Sequence, residues 1–249
     1  MTTKTILSID INTDYIICAI YNKQKNISDF IKINKNEFIK PILYFENINI
    51  IIGGEPEQSE NKTLYNDFIN NLLTSPNKRK TYPINLFGNN YEMNDLCLLY
   101  FYFNEIIKLA KENGDITDVI ITIPDYCEDK EMIKYHLYST FKRIECNNVC
   151  IMPRSATYLP FMSILDKSKY DEQHYIIIET DLQKRTVVTG TITGIEQRIV
   201  QLKEVKQFIN ENQEEIEKYL KETKTKMEKG NIILIKRTEE KLKMTFVEK

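Results

Sequence analysis

Glycine is scarce in this sequence. Only 7 of 249 residues are Gly, so glycine-rich phosphate loops cannot be numerous. Histidine is rarer still, and His136 and His174 are too few and too isolated to suggest a metal site. The five cysteines, Cys18, Cys97, Cys127, Cys146 and Cys150, contain no CxxC pair and lie mostly in apolar segments. They read as buried thiols of a reducing cytosol rather than redox or metal groups. No apolar run approaches a transmembrane span, and Met1–Lys4 is too short and polar to begin a signal peptide. Neither charge sign dominates: the net charge is −2, which gives no global drive toward nucleic acid or an anionic membrane. The expectation is a cytoplasmic protein with no membrane partner and no specific nucleic acid. Its length suits one large domain or two small ones, burying roughly 75% of the unfolded surface.

What is present is organised around Leu7–Ile20, LSIDINTDYIICAI. Leu7 and Ile9 precede an Asp-Ile-Asn-Thr-Asp turn, and Tyr15–Ile20 is an apolar, β-branched run, so the stretch reads as strand, tight turn, strand. Ile27–Ile33 and Ile42–Ile52 continue the strand pattern until Gly53-Gly54 ends the meander. Residues 55–93 are polar and proline-punctuated, an irregular excursion with a short helical candidate at Leu64–Leu73. Asn94 then caps a helix that runs to Asn113-Gly114. It is apolar nearly all round, so it should be covered on more than one side. Val119–Ile123 reads as a buried strand ended by Pro124. A helix opened by Glu128 or Asp129 turns Met132, Ile133, Leu137 and Phe141 inward. Val149–Met152 is a short strand, and Pro153 opens a helix through Ile164 that Pro160 kinks.

From Tyr175 the pattern restarts. Strands at Tyr175–Ile178, Thr186–Ile192 and Ile195–Leu202 precede a helix at Glu204–Glu228, a strand at Asn231–Ile235 and a last helix from Thr238. The order βββαβα thus occurs twice, which suggests α/β lobes of ribonuclease-H-like topology with a cleft between them. The first lobe is expected at 1–170 and a reduced second one at 171–249, divided near Asp166–Gln173.

In that order the segments resemble the nucleotide-binding domain, an actin-like ATPase, of the 70-kilodalton heat-shock chaperone family. Leu7–Ile20 is similar to its first phosphate loop, IGIDLGTTYSCVAV, keeping Asp10, Thr13, Tyr15 and Ala19. Thr117–Asp129, TDVIITIPDYCED, is similar to TNAVVTVPAYFND and is the most specific match. IMPRSAT at Ile151–Thr157 falls on NEPTAAA, IETDLQKRTVV at Ile178–Val188 on LIFDLGGGTFD, and NIILIKRTEEKL at Asn231–Leu242 on DIVLVGGSTRIP. No peptide-binding domain follows, and Leu202–Asn231 leaves no room for the outer subdomain of the family's second lobe.

The resemblance implies roles for particular residues. Asp10 and Asp181 hold the carboxylate positions used around magnesium and phosphate. Asn12, Thr13 and Asp14 form the first phosphate turn, with Asn12 in place of its glycine. Gln183, Lys184, Arg185 and Thr186 stand at the second phosphate loop, and Lys236-Arg237 replace the paired glycines of the adenosine loop. The water-orienting glutamate is Met152, whose thioether ligates magnesium poorly. The phosphate-facing lysine falls near Phe68, with Lys62 and Lys78 as neighbours. Two readings of the cations are open. Lys184, Arg185, Lys236 and Arg237 either fill the space phosphate would take, or make a new anion site by charge-assisted contacts. Phosphoryl transfer depends on positioning and electrostatics. Losing glycines, lysine and glutamate together therefore implies a catalytically inactive relative that acts by binding a protein: a chaperone, a co-chaperone or a larger assembly. The alternatives are a weak ATPase using Asp10, Thr13 and Asp181 with magnesium, binding ATP or ADP weakly, and a structural subunit of a larger assembly. The contact surface is expected in the second lobe, at Phe208, Ile216, Tyr219, Phe246 and Val247.

Overall fold

The computed structural model describes residues 4–46, 49–54, 63–86, 89–127, 129–157, 174–181, 184–193, 199–209, 213–226, 230–237 and 242–247. It is a mixed α/β protein of two compact units, Met1–Met152 and Pro153–Lys249.

The first unit begins with β1 (Lys4–Ile11) and β2 (Ile16–Asn22), an antiparallel hairpin in which Ile11 faces Ile16. Period-2 alternation drives it: Leu7, Ile9 and Ile11 are fully buried while Ser8 between them is exposed. β3 (Ile27–Phe30), β4 (Phe38–Glu46) and β5 (Asn49–Gly53) complete the meander. The strand pattern expected over Ile42–Ile52 falls on two antiparallel strands, β4 and β5. Gly53 ends β5 at φ +72°, where an added Cβ would stand 2.8 Å from Ile39 Cγ2, so both backbone and packing require glycine there.

The polar excursion is more ordered than its composition suggests. It holds α1 (Phe68–Thr74) and a ribbon of β6 (Thr81–Leu86) and β7 (Asn89–Asn94). Tyrosines tie it together: Tyr65 Oη donates to the Pro83 carbonyl at 2.7 Å and Tyr82 Oη to Asp67 Oδ1 at 2.8 Å. Then come α2 (Asp95–Lys111), β8 (Asp115–Ile123), α3 (Lys130–Arg143) and β9 (Val149–Pro153). Both long helices start at the caps read from sequence. Asn94 Oδ1 accepts from the Cys97 amide and Asp129 Oδ1 from the Met132 amide, each at 3.1 Å. The apolar α2 contacts α1, α3, β5, β7 and β8, which is the cover such a helix needs. Ile133, Leu137 and Phe141 of α3 are fully buried; Met132 is only half-buried.

The principal sheet runs β5-β4-β2-β1-β8-β9, with β3 also paired to β2. β8 lies parallel to β1, a pairing that needs a crossover, and α2 supplies it.

The second unit repeats this plan. β10 (His174–Asp181), β11 (Lys184–Thr193) and β12 (Ile199–Ile209) form an antiparallel meander, α4 (Gln213–Lys226) crosses over, and β13 (Gly230–Arg237) lies parallel to β10. A last strand, β14 (Leu242–Val247), pairs antiparallel with β13. In both sheets the first strand lies between its hairpin partner and the parallel strand that follows the crossover helix, β8 or β13.

Two expectations for this unit need correction. Glu204–Ile209 is the end of β12 and not the start of a helix, which begins only at Gln213. The cause is a register shift: Leu202 pairs with Gly190 but Glu204 with Thr189. This leaves Lys203 as a bulge that breaks the period-2 pattern. The final βββαβα helix expected from Thr238 is likewise replaced, over Leu242–Val247, by β14. Its ladder to β13 overrides the helix propensity of the Glu/Lys-rich stretch. The helix expected from Pro153 through Ile164 shows one helical turn at 155–157, and the rest, with Pro160, lies outside the described residues.

A buried histidine braces the excursion against α3. His136, 1% exposed, has Nε2 3.0 Å from the Pro76 carbonyl, and the Arg79 guanidinium lies 3.2 and 3.4 Å from its two ring nitrogens. Burial holds this imidazole below its ordinary value; the Pro76 hydrogen bond opposes that and the Arg79 charge adds to it. Above the ordinary value of 6.5 the ring is neutral folded and unfolded. As pH falls past it, the unfolded chain takes up the proton first, so stability is lost on acidification. The unfolding free energy from urea titration is expected to drop between about pH 7.5 and pH 6, by no more than about 1 kcal/mol. The drop should vanish in His136→Gln, and an unchanged pH profile in that variant would assign it to another group.

Candidate functional site

The first strand of each of the two larger sheets carries the acid singled out from sequence at or beside its last residue. Asp10 is next to last in β1, facing Ile17 of β2 and Thr122 of β8. Thr122 Oγ1 donates to Asp10 Oδ1 at 2.6 Å, a charge-assisted bond between strand ends. Thr122 is 5% exposed and Asp10 half-buried. The charge is felt nearby: burial first, and then Asp10, push the Cys18 thiol far above its ordinary range, which keeps it inert.

The turn after β1 is closed by the Asn12 amide donating to the Tyr15 carbonyl at 2.9 Å, leaving Thr13 and Asp14 at its tip. Asn12 is buried, 3% exposed, and no residue of this turn has positive φ. Its carboxamide oxygen accepts from the Thr13 amide at 2.7 Å and stands 3.4 Å from the Thr13 hydroxyl. The Asn12 side chain thus satisfies the Thr13 amide from within the turn. Asp14 is exposed and adds negative charge at the tip. These residues do not fit a phosphate group.

In the second unit Asp181 is the last residue of β10 and pairs with Lys184, the first of β11; Thr180 pairs with both Arg185 and Lys236. Backbone register therefore gathers Asp181, Lys184, Arg185, Thr186 and the Lys236-Arg237 end of β13 at one end of the second sheet. Gln183 lies outside the described residues.

Other sequence candidates are placed elsewhere. Met152 sits half-buried near the end of β9. Phe68 is fully buried in α1, its ring 5.5 Å from that of Tyr102, so this position is core and cannot present a lysine to phosphate. Lys78 is exposed in the turn after α1, and Lys62 lies outside the described residues. Of the proposed contact residues, Phe208 and Ile216 are buried at 4% and 3%. Phe208 packs on Tyr219 at 5.5 Å, with the Lys206 ammonium 4.6 Å above the tyrosine ring. Phe208 and Ile216 are therefore core positions and Tyr219 is half-buried. Phe246 and Val247 lie in β14, paired with Ile233 and Ile232. Of the cysteines expected to be buried, Cys18 and Cys127 are, whereas Cys150 is exposed.

Sequence reasoning missed Thr122, whose only signal was a hydroxyl just ahead of Pro124. It also missed Asp125, Arg154 and Ser155, polar residues at 4%, 4% and 1% exposure that follow β8 and β9. Among the described residues no cluster of three His, Cys, Asp or Glu could hold a metal ion, and no helix is long and apolar enough to cross a membrane. No protein-family model and no curated protein matches the chain.

Proposed function

We propose that the chain is a degenerate, shortened nucleotide-binding domain of the heat-shock-70 type, with an actin-like fold. In this reading it is cytoplasmic, lacks ATPase activity and acts as a chaperone-related protein-binding module. The observation that carries the reading is the Asn12 carboxamide accepting from the Thr13 amide. A side chain does there what phosphate does in a working loop, and a site satisfied from within has little left to offer a ligand. Further support comes from the plan the two sheets share, a first strand flanked by its hairpin partner and a parallel crossover strand and carrying an acid at or beside its end, and from Met152 where the resemblance puts the water-orienting glutamate. Fold analogy carries the partner class.

One observation favours a second reading, weak binding of ATP or ADP. Lys184, Arg185 and Lys236 share one end of the second sheet, where direct contacts to an anion could replace lost loop amides. Copurification separates the two. A tagged native chain should retain its protein partner without nucleotide, and equally well as the Asp10→Ala/Asp181→Ala variant. A partner held only in the presence of magnesium-ATP, and lost in that variant, would favour the nucleotide reading.

A further inference from the structure

The outer face of α3 carries a self-complementary stripe. Glu131, Tyr135, Tyr138 and Lys142 recur at helical spacing and are all exposed, while the opposite face buries Ile133, His136, Leu137, Thr140 and Phe141. Tyr135 and Tyr138 are 64% and 47% exposed, among the most exposed large apolar side chains of the described residues. Paired tyrosines on a rigid helix are the kind of side chain that protein interfaces favour, large in area and cheap to order. Their flanks say what covers them. Glu131 lies four residues before Tyr135 and Lys142 four after Tyr138. The stripe is therefore symmetric in position about its centre, between His136 and Leu137, and opposite in charge at its two ends.

A second copy of α3 laid antiparallel across this centre meets the first by a two-fold axis. Tyr135 of one chain then packs on Tyr138 of the other, and Glu131 of each faces Lys142 of its mate, with both contacts made twice. We propose that this face is a homodimer contact, its occupant the same stripe of a second copy of the chain. The inference is independent of whether any nucleotide binds. In the single chain Glu131, its side chain 85% exposed, is paired only along the surface with Lys134 at 2.7 Å. Such exposed pairs contribute little and exchange readily. Lys134 itself would face Ser139 across the axis, so no like charges meet along the stripe. The stripe covers far less than the roughly 800 Å² per partner of a standard interface, so the dimer is weak, with a dissociation constant of the order of 100 µM.

Sedimentation of the full chain from about 1 µM to about 1 mM should show monomer giving way to dimer. Tyr135→Ser/Tyr138→Ser should weaken association about a hundredfold. Glu131→Lys should weaken it about tenfold by facing lysines across the axis twice, and Glu131→Lys/Lys142→Glu should restore it. Circular dichroism confirms that each variant is folded. A chain that stays monomeric at the highest concentration overturns the proposal. So does a dimer indifferent to the tyrosine variant, or one that the charge exchange fails to rescue.

Discussion

Phe103→Ala should destabilise the first unit by about 3–5 kcal/mol, among the largest effects any single truncation here can have. Phe103 is fully buried in α2, with its ring 5.1 Å from Phe141 of α3 and 5.7 Å from Tyr102. Tyr102 in turn packs on Phe68 of α1 at 5.5 Å and donates its hydroxyl to the Lys40 carbonyl at 2.9 Å. Removing the Phe103 ring therefore opens a cavity between α2 and α3, and aromatic neighbours of this size cannot relax to fill it. The loss is transfer energy plus the cavity left behind. Urea denaturation followed by tyrosine fluorescence reads it directly, and Phe103→Leu should recover most of the difference. A loss below about 1 kcal/mol for the alanine variant would mean that α2 is not the centre of this core.

The same helix was the easiest element to read from sequence. Asn94 as cap, Asn113-Gly114 as stop and an apolar pattern almost without interruption are all local signals, and all hold. The β1–β2 hairpin was equally legible, because Leu7, Ile9 and Ile11 alternate strictly with more accessible residues. Local signals fail where a distant strand decides. After the bulge at Lys203, Val205, Phe208 and Ile209 carry helical spacing, yet their backbone belongs to a ladder with β11. In the same way β13 draws Leu242–Val247 into a strand. The ribbon of β6 and β7 was hidden by composition, since its order comes from Tyr65 and Tyr82 bonding to Pro83 and Asp67 rather than from an apolar pattern.

The site divides along the same line. Asp10 is legible as an acid closing an apolar strand, and Asn12 as a residue where a phosphate turn wants glycine. Thr122, the partner of Asp10, lies 112 residues away, and only the parallel register of β1 and β8 makes them neighbours. That Asn12 would turn its carboxamide onto the next amide could not be read from spacing at all. A buried amide side chain must find a donor, but the sequence does not say which.

Loss of nucleotide binding is the second large effect, because a working phosphate site and this turn should differ by orders of magnitude in affinity. Tight phosphate binding uses free backbone amides, and the Thr13 amide is committed to Asn12 at 2.7 Å. It also uses oxygen ligands for magnesium and an acid that orients the attacking water, and the proposed reading puts the thioether of Met152 at the second of these. Asp10, already bonded to Thr122 at 2.6 Å, and the exposed Asp14 would repel phosphate unless a cation came between them. Isothermal titration of the full chain with magnesium-ATP tests this most directly. The account predicts a dissociation constant weaker than about 1 mM, unchanged by Asp10→Ala or Asp181→Ala. Micromolar binding that both substitutions abolish would contradict it.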